Sequence, residues 1–148
     1  MFALQIAYAD REPLSGSKLD YRLFSKKSRA SVKVSGNRAV EQNIVKILLT
    51  NPGSDYFNQT LGGGLPLILS QSVSPDNLQT RRTEVGQAII RTEEQLIASQ
   101  VGLTLTPAER LSRIDIKRLD FDPSVSSWII ELALFMEDGN VSQVLLGR

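Results

Sequence analysis

Histidine and cysteine are both absent from this chain. Their absence removes thiolate zinc sites, His-ligated metals, disulfides, thiol nucleophiles and every catalytic arrangement built on an imidazole base. A large part of enzyme chemistry is thereby closed. A cysteine-free chain also suits a reducing cytoplasm, or a particle assembled in one. Long apolar runs are missing too: the most apolar stretch, residues 128–136, is interrupted by Glu131 and falls well short of a membrane span. The first nine residues lack the basic start and long apolar run of an export signal, so a soluble protein with no membrane partner is expected. Excess charge of one sign is also lacking. A net charge of +1 argues against indiscriminate binding to nucleic acid.

What is present is an ordinary globular composition: 148 residues, 41% apolar and 22% charged, enough for one domain with a real core. The charge is unevenly placed. Residues 1–38 hold eight Lys/Arg against three Asp/Glu, residues 39–118 hold eight of each, and residues 119–148 hold one against five. Two different partners, or head-to-tail contact between neighbouring copies in a ring, would use such an asymmetry; scattered surface charge produces it as well.

Alternation of Phe2, Leu4 and Ile6 with smaller or polar residues predicts a short amino-terminal strand, and Val32 and Val34 permit another. The first helix is expected to start after Asn37 as its cap and to run to about Thr50, with Val40, Ile44, Ile47 and Leu48 on one face. Ser74-Pro75-Asp76 reads as the start of a second helix, with Ser at the cap and Pro at the first helical position, reaching roughly Gln100. Leu78, Val85, Ile89 and Leu96 form its apolar stripe. Gly86 inside it predicts close approach of another element, because glycine there costs about 1 kcal/mol relative to alanine. Ile114 and Ile116 share one parity and Leu119 and Phe121 the other, which predicts a bulge near Lys117. Trp128, Ile130, Leu132, Leu134 and Met136 alternate, Asp138-Gly139 supplies turn chemistry, and residues 141–146 return: a terminal β-hairpin. The fold class is α+β, two main helices packed on a small, mostly antiparallel sheet ending in that hairpin. The domain is expected at 37–148, with 1–36 as an arm or strand extension.

The most informative stretch is 44–65. An apolar helix end runs into Thr50-Asn51-Pro52-Gly53, a hard stop, followed by Tyr56, Phe57, Asn58 and the glycines from Gly62 onward. Physical reading gives a compact irregular loop pinned into the core by Tyr56, Phe57 and Leu61. The order of these residues resembles the sheath-initiator (wedge) proteins of contractile phage tail baseplates, a family with relatives in type VI secretion and other injection systems. Its members carry a leucine-rich helix, a Thr-x-Pro-Gly turn, a Phe-Asn pair and a glycine soon after, here Thr50, Pro52, Gly53, Phe57, Asn58 and Gly62. The family also has a Glu-Pro-Arg triplet after the long helix; this chain reads Pro107-Ala108-Glu109-Arg110 at the corresponding place, so the triplet is not intact.

The resemblance implies a structural protein without catalysis, cofactor or metal, present as six copies in a ring in the virion tail baseplate and assembled in the host cytoplasm. It implies contact with the tail sheath protein, with other baseplate wedge proteins, and with the tail tube or hub. Glu109 and Arg110 would join the wedge proteins. Val141, Gln143, Val144, Leu145 and Leu146, in a terminal strand with no Pro and no Lys to blunt its edge, would accept a sheath arm by β-augmentation.

Two readings from other classes remain open. A small cell-wall glycan hydrolase needs paired carboxylates, for which Asp10, Glu12, Asp120 and Asp122 are the candidates, against the ordinary reading of solvated loop acids. A nucleic-acid-binding adaptor would use Arg22, Lys26, Lys27, Arg29 and Lys33 with Tyr21 and Phe24 interleaved, a pattern that fits no recognition helix. The glycines at 62–64 lack the Gly-Lys-Ser/Thr of a phosphate loop and read as a flexible turn.

Overall fold

The structure is a computed structural model that describes residues 36–147 and the backbone of residues 5–7. The strand at Phe2 and Leu4, the alternation at Val32 and Val34, the acids Asp10 and Glu12 and the basic cluster at 22–33 lie outside the described residues.

Helix α1 spans Asn37–Leu49 and helix α3 spans Leu78–Gln100, with a short α2 at Leu65–Leu69 between them. The apolar positions read from the sequence are those that bury. Val40, Ile44, Ile47 and Leu48 of α1 and Val85, Ile89 and Leu96 of α3 all lie in one core. Two helix starts differ from expectation. Asn37 is the first residue of α1 and makes no capping bond; Gly36 precedes it at φ 68°, and the Gly36 amide donates to Glu109 Oε1 at 3.3 Å. Before α3, the Ser74 amide donates to Asn77 Oδ1 at 2.8 Å and the Leu78 amide to the Ser74 carbonyl at 2.9 Å. That turn delays the helix until Leu78, four residues beyond Ser74.

Strands β1 (Gln5–Ala7), β2 (Leu111–Asp122), β3 (Ser127–Met136) and β4 (Val141–Gly147) form one antiparallel sheet in the order β1-β4-β3-β2. The α+β class holds, with the sheet antiparallel throughout its described part. The phase change in β2 is a register shift between Ile116 and Arg118 against β3. Beyond it Leu119 pairs with Ile130 and Phe121 with Trp128, so the extra residue returns the apolar side chains to the core face. The hairpin of β3 and β4 closes where expected, with Gly139 at φ 84° in its turn. Trp128, Ile130, Leu132, Leu134 and Met136 of β3 join Val144 and Leu146 of β4 beneath α1 and α3.

Gly86 has no atom within 4 Å of where its Cβ would stand, so no element approaches it. The close approach occurs instead at Gly63. A Cβ there would lie 2.5 Å from Thr92 Oγ1 and 3.1 Å from Leu48 Cα. Gly63 is the crossing point of the chain between α1 and α3.

Candidate functional site

The residues after α1 build a rigid projection. Pro52 and Gly53 occupy the centre of a tight turn in which the Ser54 amide donates to the Asn51 carbonyl at 3.1 Å. Gly53 at φ 84° supplies the left-handed residue that a type II turn demands after proline. Thr50 closes the helix: its amide donates to the Ile47 and Lys46 carbonyls and its hydroxyl to Lys46 O at 2.7 Å. Asp55 Oδ1 accepts the amides of Phe57 and Asn58 at 2.8 and 3.1 Å, and the Asn58 carbonyl accepts the Leu61 amide at 3.1 Å. The Gly53 amide donates to the Gln59 carbonyl at 2.7 Å, which ties the loop across its neck.

The glycines at 62–64 are buried and fully engaged, so the expected flexible turn is corrected. Gly62 donates to Gln95 Oε1 at 2.9 Å, Gly63 to the Ile47 carbonyl at 2.8 Å and Gly64 to the Thr50 carbonyl at 3.0 Å. The Gly64 bond satisfies the Thr50 carbonyl at the end of α1, and the Gly63 bond is a second one to the Ile47 carbonyl, which also accepts the Thr50 amide. Gln95 Nε2 and Arg91 Nη2, both from α3, donate to the Thr60 and Gly63 carbonyls. With all three glycine amides spent on the protein, this segment is a packing device between two helices.

Tyr56 and Phe57 do the opposite of what their apolar character predicts. They are 88% and 96% exposed and form an edge-to-face pair with ring centroids 5.4 Å apart. Leu61 alone of the three expected anchors packs against the core. The reason is spatial: Leu61 and the glycines already fill the gap between α1 and α3, and the bonds to Asp55 turn the chain outward at residues 56–57.

Glu109 and Arg110 are held within the chain. Glu109 Oε2 accepts the Thr106 amide and hydroxyl at 3.2 and 2.9 Å, while its Oε1 takes the Gly36 amide, linking the short turn Pro107–Glu109 to the start of α1. Arg110 Nη2 donates to the Leu103 carbonyl at 3.1 Å, and its Nε stands 4.0 Å from Glu137 Oε2. In β4, Val144 and Leu146 are buried in the core, Leu145 is half-buried, and Val141 and Gln143 are exposed on the face away from the helices.

The terminal strand is not a bare edge, and that expectation is corrected: β1 pairs Gln5 with Gly147, Ile6 with Leu146 and Ala7 with Leu145. Among the described residues nothing pairs with the outer side of residues 141–144. The candidate acids on β2 have structural duties. Asp120 bonds Arg118 Nε at 2.8 Å and Arg82 Nη2 at 3.5 Å, and Asp122 accepts the Ser124 hydroxyl and amide, which hold its carboxyl below the usual range. Among the described residues no cluster of three or more Asp, Glu, His or Cys is placed to hold a metal ion. No family model and no curated protein matches the chain.

Proposed function

We propose that this chain is a non-enzymatic component of a contractile-tail baseplate that initiates the sheath by offering the outer edge of β4 to an incoming strand. The observation that carries this reading is the difference between the two edges of the sheet. On the β4 side, β1 covers three residues and leaves residues 141–144 unpaired among the described residues. On the β2 side, two register shifts bend the strand, and Arg113, Asp115, Lys117, Arg118 and Asp120 stud it with charge. Bulges and charges are what resist edge-to-edge pairing, so among the described residues the β2 edge carries such protection and residues 141–144 do not.

Main-chain bonds suit an initiator because they join subunits while leaving side chains free to fix register. Val144 and Leu146, locked in the core, hold the template strand straight, and Val141 and Gln143 stand beside the incoming segment. The six-copy ring and the contacts with the wedge proteins, the tube or the hub come from the resemblance of residues 44–65.

Capture of the sheath subunit of the same tail tests the reading. Adjacent N–H groups of an antiparallel strand point to opposite sides, so one of Ser142→Pro and Gln143→Pro removes an outward donor while sparing the β3 ladder. The expected result is that this variant folds but no longer captures sheath. Undiminished capture by a folded edge variant would overturn strand addition.

A further inference from the structure

Buried polar atoms in folded chains are almost always hydrogen-bonded, so an exception calls for a reason. Among the described residues, Glu41 Oε2 is the one carboxylate oxygen that is buried without a partner. The residue is 6% exposed, so its charge is held largely out of water. Arg38, three residues earlier on α1, is exposed and favours the charged form from a distance without bonding Oε2.

Helix geometry puts this carboxylate at the β4 side of the sheet. Val40 and Asn43 of α1 line a cavity with Leu96 and Ser99 of α3, so that flank of α1 faces α3. Glu41 and Val45, two residues to either side of Asn43, stand about 160° around the helix from it, on the flank away from α3. Helix α3 lies over β2, where Arg82 bonds Asp120, and the sheet runs from β2 through β3 to β4. The flank that carries Glu41 therefore looks toward β4. Ser142 agrees with this placement, because its side chain faces the Glu41 carboxylate and favours its charged form. Ser142, Val144 and Leu146 alternate on the helix side of β4, and Ser142 belongs to the stretch 141–144 that has no outer neighbour among the described residues.

A strand added to that stretch turns alternate side chains to the helix side, and the one opposite Ser142 comes beside Glu41. Directly opposite residues have Cβ atoms about 5 Å apart, well within the reach of a long side chain. We propose that Glu41 selects the incoming strand, which carries Lys or Arg opposite Ser142 and pairs with this carboxylate. A neutral side chain there leaves the charge buried and unpaired, and Asp or Glu adds a second, so the penalty falls on wrong strands. The same contact fixes register, because a slip of one residue turns the cation to the outer face. The inference deepens the proposed strand addition at β4 and rests on it, adding the residue that chooses among strands.

The lack of cysteine opens a direct test on the full chain. Gln143 is exposed, so Gln143→Cys places a single thiol beside the outer edge. Acetylated peptides Val-Cys-X-Thr-Thr, with X as Lys, Thr or Glu, bring their thiol opposite it in the antiparallel register and X opposite Ser142. Disulfide trapping of each peptide in a glutathione buffer at pH 7.5 is compared between the Gln143→Cys chain and one that also carries Glu41→Gln, which keeps the shape of the side chain and removes its charge. The Lys peptide is expected to be trapped about tenfold more than the Glu peptide, with the ratio falling to about twofold or less in Glu41→Gln. Comparing the ratio between the two chains cancels any effect of X on the peptide thiol itself. Trapping of every peptide above N-acetylcysteine without a preference for Lys, or with a preference that survives Glu41→Gln, would overturn the inference and leave strand addition standing. Trapping of no peptide above N-acetylcysteine would overturn both.

Discussion

Gly63 and Gly86 are the same residue in opposite situations. At Gly63 an added methyl meets Thr92 Oγ1 and the backbone of α1, neither of which is a loose side-chain end. Gly63→Ala should therefore cost about 2–4 kcal/mol, as overpacking a tight crossing does. At Gly86 the same methyl meets nothing within 4 Å, in the interior of a 23-residue helix. Gly86→Ala should stabilise by about 1 kcal/mol. Urea unfolding followed by the single tryptophan, Trp128, which is buried, measures both; equal effects of the two substitutions would contradict the packing described.

Glu41 is the residue whose burial the sequence hid. It reads as a polar position of α1, yet it is only 6% exposed, and its Oε2 has no hydrogen-bond partner. Burial raises its carboxyl pKa above the ordinary 4.5, with Ser142 and Arg38 opposing. Between 4.5 and the raised value the folded state binds the extra proton, so stability falls as pH rises through that window. The favourable linkage is complete below 4.5 and gone above the folded pKa. Glu41→Gln should accordingly be more stable than the unaltered chain at pH 7.5, by about 1 kcal/mol. That advantage should vanish as the pH approaches 4.5. Glu93, also raised chiefly by burial, contributes to both proteins and cancels from the difference. A Gln advantage independent of pH would rule out the charge as its source.

Among the elements, the loop from Thr50 to Gly64 depends on α3 more than on itself. Gln95 holds it at two points, accepting from the Gly62 amide and donating to the Thr60 carbonyl. Gln95→Ala leaves a buried amide unpaired, a loss of about 1–3 kcal/mol concentrated in this loop. Chymotrypsin reports it directly, because its preferred residues Tyr56 and Phe57 are exposed but held. Cleavage there should accelerate about tenfold in Gln95→Ala while the hairpin stays protected; an unchanged rate would mean that the loop's own turns suffice. The element least easily removed is β4. Val144 and Leu146 are 0% and 3% exposed, so a chain ending at Gly139 loses part of its core. Such a truncation should show no cooperative thermal transition. A sharp transition in it would show that β4 is dispensable to the fold. For this reason edge substitutions, not truncation, test the proposed sheath binding apart from folding.

For the molecule as a whole, local pattern determined α1, the body of α3, the bulge near Lys117 and the hairpin of β3 and β4. Each is a repeat of apolar residues at a period of 3.6 or 2, or a break in one, and the backbone itself sets those periods. The turn at Pro52 and Gly53 was legible for the same reason, since proline's φ and glycine's left-handed freedom act within four residues. Tertiary structure alone decided which apolar groups were left out. Tyr56 and Phe57 face outward because Leu61 and Gly63 reach the space between α1 and α3 first, and no period encodes that competition. The pairing of β1 with β4 joins residues about 140 apart, and the burial of Glu41 depends on where β4 lies against α1. A sequence states which face of an element is apolar; which partner covers that face, and how closely, is settled by volumes contributed from distant parts of the chain.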